Sequence, residues 1–273
     1  MRASRAFYGE MMRTAALALL SSFLLGGGPN PGRAPAATPG SLEVTLWAWE
    51  RPEDLRFLGG RPNVGIAFLG ETLTLDGDEL HVSPRRQPLL VAETTPLEAV
   101  VRIEWVRGRA IEDTPALRAR IVDQLLASAK LPRVRGVQVD FDAPASVRTM
   151  YRQILEEARA ALPTTTRLSM TAIASWCTSD GAWLESVAPL VDEVVPMVFS
   201  MGRETSAVWT TLDFLGGFAL PVCSTSVGVA VGERTPRFAE TRRAYVFDRH
   251  AWTARSFEES MRTLRPSRDR RQP

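Results

Sequence analysis

Residues 135–162 read RGVQVDFDAPASVRTMYRQILEEARAAL, an alternating stretch followed by a longer segment with helical periodicity. In the first part, apolar residues alternate with Gln138, Asp140 and Asp142, which is typical of a β-strand with two different faces. In the second part, apolar residues recur every three or four positions, which predicts an amphipathic helix over 146–162. The stretch is therefore one strand followed by one helix.

The same order recurs along the chain. Strands are predicted at 43–49, 63–69, 99–105, 136–142, 167–174, 192–199, 221–231 and 243–248, and further helices at 114–131, 180–191, 204–217 and 254–265. Strands alternating with helices indicate a parallel α/β fold. Eight such units favour a (β/α)8 TIM-like barrel. A doubly wound open sheet is the alternative, but the sequence has neither common Gly-rich phosphate loop that would favour it.

The second unit departs from this order. Residues 71–82 (ETLTLDGDELHV) place Asp76 and Gly77 between alternating residues, which is a hairpin signal. We therefore expect a β-hairpin insertion after the second strand, near the barrel mouth, where it replaces or crowds the second helix.

Composition limits the classes of function. The chain has 273 residues, 45% hydrophobic and 23% charged, with a net charge of +2. This length can bury a large core, and we assign the barrel to residues 41–265 and a charged tail to 266–273. The basic residues do not alternate with aromatics along a face, so we expect no nucleic-acid partner. We expect a monomer.

The N-terminal 40 residues are predicted to be a signal peptide and flexible linker. Arg13 precedes the twelve-residue apolar run TAALALLSSFLL, which is too short for a membrane-spanning helix. Ala34–Ala36 fits a small-x-small cleavage site, so the mature chain is expected to begin near Ala37 and to keep no membrane span. This predicts an exported protein, periplasmic or secreted, with an uncleaved membrane anchor as the alternative.

The two cysteines lie near the ends of two different predicted strands. Cys177 comes just after the end of one predicted strand and Cys223 near the start of another, and those are opposite ends of a parallel sheet. We therefore expect two free, mostly buried thiols, although export would permit a disulfide. With only two His residues and no CxxC pair, no zinc site is predicted, and no organic cofactor is implied.

Acids and aromatic residues gather where the predicted strands end. Because barrel active sites lie at the carboxyl ends of the strands, we take these residues as the candidate site. The candidate catalytic residues are Asp142, Asp140, Glu104 and Glu50. The candidate substrate-binding residues are Trp47, Trp49, Gln138, Trp176, Met197, Phe199, Arg203, His250 and Trp252.

Alternation predicts which of these side chains face inward. The apolar residues at 137, 139 and 141 need helix cover, so Gln138, Asp140 and Asp142 are expected to face the barrel interior. Two carboxylates two positions apart, roughly 6.6 Å along the backbone, should titrate unequally, one being held protonated. A core ion pair between Arg102 and Asp140 remains the structural alternative.

Four separated segments resemble a bacterial family catalogued as domain of unknown function 3142. They are WAWERPEDLRFL (47–58), RGVQVDFDA (135–143), LSMTAIASWC (168–177) and VDEVVPMVFSMG (191–202). The resemblance covers about residues 43–252. It implies no known activity.

A more distant likeness is to the chitinase-like barrels of glycoside hydrolase family 18. Their fourth strand reads Asp-x-x-Asp-x-Asp-x-Glu, which falls here on Arg135, Gln138, Asp140 and Asp142, so that a shorter acid holds the place of the proton donor. Their sixth strand ends Met-x-Tyr-Asp, where this chain has Phe199 and Ser200. The likeness implies a barrel with an acid at the end of the fourth strand, but the two groups that serve the substrate-assisted mechanism are missing.

These observations predict a glycan or other small polar substrate. As an enzyme the protein would be a glycoside hydrolase, with Asp142 as the general acid, Asp140 orienting it, and Glu104 or Glu50 as the second carboxylate. The tryptophans would offer flat apolar faces to sugar rings. The alternatives are a non-catalytic glycan-binding barrel and a barrel that holds Ca²⁺ or Mg²⁺ among the four acids.

Overall fold

A computed structural model describes residues 42–236 and 240–264 of the chain. Its strands are β1 (Glu43–Ala48), β2 (Glu53–Asp54), β3 (Val64–Asp76), β4 (Glu79–Pro84), β5 (Leu89–Leu90), β6 (Leu97–Trp105), β7 (Val134–Asp140), β8 (Arg167–Ile173), β9 (Glu193–Met197), β10 (Ser226–Ala230) and β11 (Arg243–Phe247). Within the described residues, eight parallel strands close into a barrel in the order β1-β3-β6-β7-β8-β9-β10-β11, because β1 pairs with both β3 and β11. The expected TIM-like barrel is confirmed.

Helices follow most of the barrel strands. They are α1 (Pro115–Ala129), α2 (Arg148–Ala161), α3 (Ala174–Ser179), α4 (Gly181–Val187), α5 (Thr205–Leu215), α6 (Pro221–Ser224) and α7 (Ala254–Leu264). Thr114 caps α1 by accepting a hydrogen bond of 3.1 Å from the backbone N–H of Leu117, and Pro115 occupies the first turn. The capping residue and the proline thus account for where this helix begins.

The second barrel strand is longer than the sequence pattern indicated. β3 runs without interruption from Val64 to Asp76, and its register with β6 shifts between Leu69 and Glu71. Beyond this irregularity, β3 pairs antiparallel with β4, one strand additional to the barrel. Gly77, with φ of 66°, makes the turn between the two strands, a conformation that favours glycine.

Two separate apolar clusters reflect the alternation along the strands. Residues facing outward, such as Val137 and Val139, belong to the large core between sheet and helices. Residues facing inward, such as Trp47 and Val195, form a smaller cluster inside the barrel. The barrel strands are largely buried on both faces, which is why they read as apolar runs in the sequence.

The amino ends of the strands are closed by an ionic network. Glu193 accepts hydrogen bonds from Arg167 at 2.6 Å, from Arg243 at 3.1 Å and from the hydroxyl of Tyr245 at 2.8 Å. Glu98 accepts from Arg167 at 2.8 Å and lies 2.9 Å from the same Tyr245 hydroxyl. Because all these groups lie inside the barrel at one end, any ligand site must be at the other.

The predicted strand 221–231 is wrong in its first half. Pro221 begins the short helix α6, and the strand itself begins only at Ser226. Proline favours the first turn of a helix and cannot donate to a sheet ladder, which accounts for the change of structure.

The expectation of two free thiols is also wrong, because Cys177 and Cys223 form a disulfide with a Cα–Cα distance of 6.1 Å. Neither cysteine lies in a strand, since Cys177 is in α3 and Cys223 in α6. Both short helices pack against β9, so they meet on the outside of the barrel. The argument from opposite strand ends therefore does not apply.

In the part of the chain that the structure describes, no helix is long and apolar enough to cross a membrane. The predicted signal peptide and linker (residues 1–40) and the predicted tail (266–273) lie outside the described residues.

Candidate active site

A cavity of about 390 Å³ opens at the carboxyl ends of the barrel strands. It is lined by Trp47, Trp49, Val100, Arg102, Gln138, Asp140, Asp142, Thr171, Ile173, Ala174, Met197, Phe199, Ser200, Met201, Glu204 and Phe247. Seven of the residues that the sequence pointed to lie on this wall, namely Asp140, Asp142, Gln138, Trp47, Trp49, Met197 and Phe199. They come from three separate strands and the segments just after them, namely β1, β7 and β9, which the closed barrel brings together.

Two neighbouring carboxylates stand at different depths in the cavity. Asp140 is the last residue of β7 and is half-buried, and its Oδ1 accepts a hydrogen bond of 2.7 Å from the hydroxyl of Thr171. Asp142 follows the strand and is exposed at the mouth, where it accepts no hydrogen bond from any described residue. Asp140 is therefore held in place, while Asp142 is open to a ligand.

The surroundings of both acids favour the protonated form. Protein packed around its carboxyl, together with the neighbouring charge of Asp140, raises the pKa of Asp142 to about 6, even though the side chain reaches solvent at the mouth. Burial also raises the pKa of Asp140, against the opposing effects of the Thr171 hydrogen bond and of Arg102. An acid that titrates near pH 6 can donate a proton under mild conditions.

Below the carboxylates, an amide and an indole form the floor of the cavity. The Nε1 of Trp47 donates a hydrogen bond of 2.7 Å to Oε1 of Gln138, and Nε2 of Gln138 donates to the hydroxyl of Ser169 at 3.3 Å. Gln138 is completely buried, so these bonds compensate its loss of water. This explains why a buried strand carries an amide on its inner face.

Aromatic rings form one side of the cavity. Phe199 and Phe247 stack with centroids 5.6 Å apart and 13° between their planes, and Trp49 meets Phe247 edge-on at 6.1 Å. Trp47 contacts Phe199 at 5.9 Å. Rings in mutual contact are stiff, so they present a preformed apolar surface next to the acids.

Arg102 lies between the rings and the acids. Its guanidinium carbon is 5.6 Å from the centroid of the Trp49 ring, and its Nε is 3.5 Å from a carboxylate oxygen of Glu104. Its positive charge opposes the rise in pKa of both Asp140 and Asp142. The predicted pairing of Arg102 with Asp140 is thus a longer-range attraction, and the direct partner of Arg102 is Glu104.

Three sequence candidates have structural partners away from the cavity. Glu50 accepts hydrogen bonds from the backbone N–H groups of Arg86 at 3.0 Å and Gln87 at 3.2 Å. Trp176 is 1% exposed and packs against Trp183 in the outer core. Trp252 is 4% exposed, and its Nε1 donates to the carbonyl of Trp47. We remove all three from the candidate site, because the two tryptophans have no accessible face and Glu50 is engaged by a loop.

The other candidates lie on the exposed surface outside the cavity wall. Glu104 accepts a weak hydrogen bond of 3.4 Å from Thr74 and is nearly half exposed. Arg203 and His250 are exposed, and the backbone N–H of His250 donates to Asp248. We remove Arg203 and His250 from the site and keep Glu104 only as the ion-pair partner of Arg102.

The structure adds two residues that the sequence reasoning missed. Phe247 ends β11 and alternates with the inward-facing Tyr245, so strand parity contained the signal that would have found it. Glu204 is the first residue of the predicted helix 204–217, but it ends a short turn before α5, so the helical pattern does not assign it a face. Glu204 adds a third carboxylate to the described cavity wall, on which Glu104 and Glu50 do not lie.

The four acids proposed as a cation site do not come together, because Glu50 and Glu104 lie off the cavity. Across residues 42–236 and 240–264, no three His, Cys, Asp or Glu side chains are grouped so that they could hold a metal ion. The cation-binding alternative is therefore withdrawn for these residues.

The sequence model of the family described as Domain of unknown function (DUF3142) matches residues 93–208. This confirms the resemblance, since three of the four segments that carry it lie within the match. No curated protein matches the sequence.

Among solved structures, the crystal structure of the Bacillus cereus spore cortex-lytic enzyme SleL is similar to the chain with a TM-score of 0.44 and 15% identity. The similarity covers 70% of this chain and 51% of that protein, so the chain spans about half the length of SleL.

Proposed function

We propose that the protein is a glycoside hydrolase that uses Asp142 as its general acid. One observation carries the proposal, namely an acid whose pKa is raised to about 6 at the mouth of an aromatic-lined cavity. Pockets that combine apolar rings with a few convergent polar groups suit sugars, which have apolar ring faces and a polar periphery. An acid that titrates near the working pH suits proton donation to a leaving oxygen.

In this proposal, protonated Asp142 gives its proton to the glycosidic oxygen as the bond between that oxygen and the anomeric carbon breaks. Asp140, held by Thr171, lies behind it, and when ionised its charge adds to burial in keeping the proton on Asp142. Glu204 is proposed as the second carboxylate, which either activates a water molecule or attacks the anomeric carbon directly. The partly exposed rings of Trp49, Phe199 and Phe247 contact the sugar, above a floor formed by the buried Trp47 and Gln138.

The proposal does not use the substrate-assisted mechanism. Where that mechanism needs a tyrosine hydroxyl and a neighbouring acid, this cavity has Phe199 and Ser200. The ring of Phe199 stacks on Phe247 and has no hydrogen-bonding group to orient an acetamido substituent. The same substitutions favour a second candidate, a barrel that binds a glycan without cleaving it.

We further propose that the protein is exported and that residues 1–40 are removed. Residues 266–273 are proposed to form a tail, and the hairpin of β3 and β4 is proposed to be an insertion in the barrel. The disulfide between Cys177 and Cys223 supports export, since such bonds persist in oxidising compartments. Mass spectrometry of the exported fraction tests the cleavage, with a new N-terminus near Ala37 expected and an intact Met1 or Met11 contradicting it.

The experiment is a reducing-end assay of the wild-type protein on a panel of soluble and insoluble polysaccharides from pH 4 to 9. We expect hydrolysis that declines as pH rises above about 6, since Asp142 must be protonated. Asp142→Asn should abolish turnover and retain binding, and Asp123→Asn, an exposed acid on α1, is the matched control. Binding without hydrolysis by the wild type would favour the second candidate.

A further inference from the structure

The backbone that carries Trp49 is held by an arginine from another part of the chain, Arg85. Trp49 lies just after β1, in a segment without regular structure, and yet its ring lines the cavity. A ring on a free loop would adopt many orientations, and ordering it on binding would weaken affinity. Contacts that order this segment before a ligand binds therefore favour binding.

Arg85, in the loop after β4, makes these contacts. Its Nη1 donates to the carbonyl of Ala48 at 3.2 Å and also to that of Trp49, and its Nη2 donates to the carbonyl of Arg51 at 2.6 Å. Its Nε donates to Gln87 at 2.9 Å, which anchors the guanidinium to its own loop. One planar group thus holds three carbonyls within four successive residues, and no single-point donor such as lysine could do so.

Glu50 links the same two segments a second time, with its side chain on the segment of Trp49 and its partners on the loop of Arg85. Its carboxylate accepts hydrogen bonds from the backbone N–H groups of Arg86 and Gln87, in the loop that carries Arg85. Each of the two segments therefore contributes one charged side chain that binds the backbone of the other. This explains why Glu50, predicted to be catalytic, is directed away from the cavity.

The far side of the same segment has an independent anchor. Arg51 donates to the carbonyls of Asp248 at 2.5 Å and Arg249 at 3.1 Å, and its Nε pairs with Glu53 at 2.7 Å. Loss of Arg85 would therefore free the segment near Trp49 without detaching it from the loop after β11.

We propose that Arg85 is a positioning residue, which fixes the ring of Trp49 against Phe247 and Arg102 before a ligand binds. The inference rests on the proposed function only in assigning the Trp49 ring to ligand contact. The proposal extends the site to Arg85, which is 36 positions from Trp49 in sequence and does not itself line the cavity. The side chain of Arg86, exposed and next to Arg85, makes no hydrogen bond, ion pair or ring contact with any described residue, so Arg86 is the matched control.

The test is ¹⁹F NMR of the full chain labelled with 5-fluorotryptophan, which reports on the seven Trp rings without any ligand. Trp49→Phe assigns the Trp49 resonance. In Arg85→Ala we expect that resonance to shift and broaden while those of Trp176 and Trp183 stay in place, and Arg86→Ala should change none. Arg85→Lys, which keeps the stem and the charge, is expected to act like Arg85→Ala and serves if the alanine variant does not fold.

An unchanged Trp49 resonance in the Arg85 variants would overturn the proposal. So would a change of all Trp resonances together, which would mean that Arg85 acts only on stability. Because no glycan is present, failure here is distinct from failure of the proposed hydrolase, which depends on turnover.

Discussion

The indole Nε1 of Trp47 and the amide oxygen of Gln138 are joined by a hydrogen bond of 2.7 Å across the barrel interior. The two residues are 91 positions apart in sequence, and both are buried. This bond forms the floor of the cavity, above which the acids of the site stand. It also accounts for the polar inner face of β7 without any unpaired buried group.

Replacing Gln138 by leucine should lower the free energy of unfolding by about 1–3 kcal/mol, because the indole N–H of Trp47 would be buried without an acceptor. Urea unfolding measures the loss. In a Trp47→Phe background, where that donor is absent, replacing Gln138 by leucine should lower the free energy of unfolding by a clearly smaller amount. Equal costs in both backgrounds would show that the bond contributes nothing.

Asp142→Asn should stabilise the protein at neutral pH and leave it unchanged near pH 4. The folded-state pKa of Asp142, about 6, lies above the unfolded value of about 3.9. Ionisation of Asp142 therefore destabilises the native state. The stability contributed by the protonated form is fully present below about pH 4 and is lost as pH rises to 6. Because solvent screens this exposed carboxylate, we expect at most about 1 kcal/mol, or roughly 2–4 °C in Tm, above pH 6.

Melting curves of wild type and Asp142→Asn between pH 4 and 8 measure this difference, with Asp123→Asn as the control for removal of a surface charge. A gap in Tm that is constant across the pH range, or a variant less stable at pH 7, would contradict the prediction. The second result would give Asp142 a structural role.

In the ionic network at the closed end of the barrel, replacing Glu98 and replacing Glu193 by glutamine should lower the free energy of unfolding by different amounts. Tyr245 has one hydroxyl proton and lies within 3 Å of both Glu98 and Glu193, so its hydroxyl can donate to only one of them at a time. Burial raises the pKa of Glu98. Glu193 accepts hydrogen bonds from Arg167, Arg243 and Ser226, whereas Glu98 accepts one from Arg167. Glu193 therefore has more hydrogen-bond donors than Glu98.

On this basis Glu98→Gln should lower the free energy of unfolding by less than Glu193→Gln, since it removes fewer charged hydrogen bonds. We expect Glu193→Gln to cost about 1.5–3 kcal/mol, because it takes a charged partner from both Arg167 and Arg243, which keep Glu98 and Glu43 respectively. Denaturant unfolding of the two variants checks the ranking, and a larger loss for Glu98→Gln would contradict it.

The disulfide should stabilise the fold by reducing the conformational entropy of the unfolded chain. Its cysteines are 46 residues apart, and a closed loop of that size corresponds to a stabilisation of up to about 4 kcal/mol. We expect the double variant Cys177→Ala/Cys223→Ala to be about 2–4 kcal/mol less stable and insensitive to dithiothreitol. A wild type that shows the same unfolding midpoint with and without reductant would count against a formed bond.

Much of the candidate site follows from local pattern. The alternation at residues 137–142 correctly predicted that Gln138, Asp140 and Asp142 face inward, because successive side chains of a strand point to opposite faces whatever the strand pairs with. The same rule placed Trp47 and Trp49, and applied consistently it would also have found Phe247. Glu50 and Trp252 became candidates because they follow strands and not through alternation, and both lie in loops where local pattern does not show which way a side chain points.

The residues by themselves thus determine where strands and helices lie and which face each strand side chain takes, since both depend on neighbours a few positions away. Only the closed barrel decides which side chains meet. Glu204 lines the same cavity as the aspartates, Arg85 binds the segment of Trp49, and Cys177 bonds to Cys223 because strand register and helix packing place distant segments together. Such contacts leave no periodic trace in sequence, because each partner's position is set by the fold and not by its own neighbours.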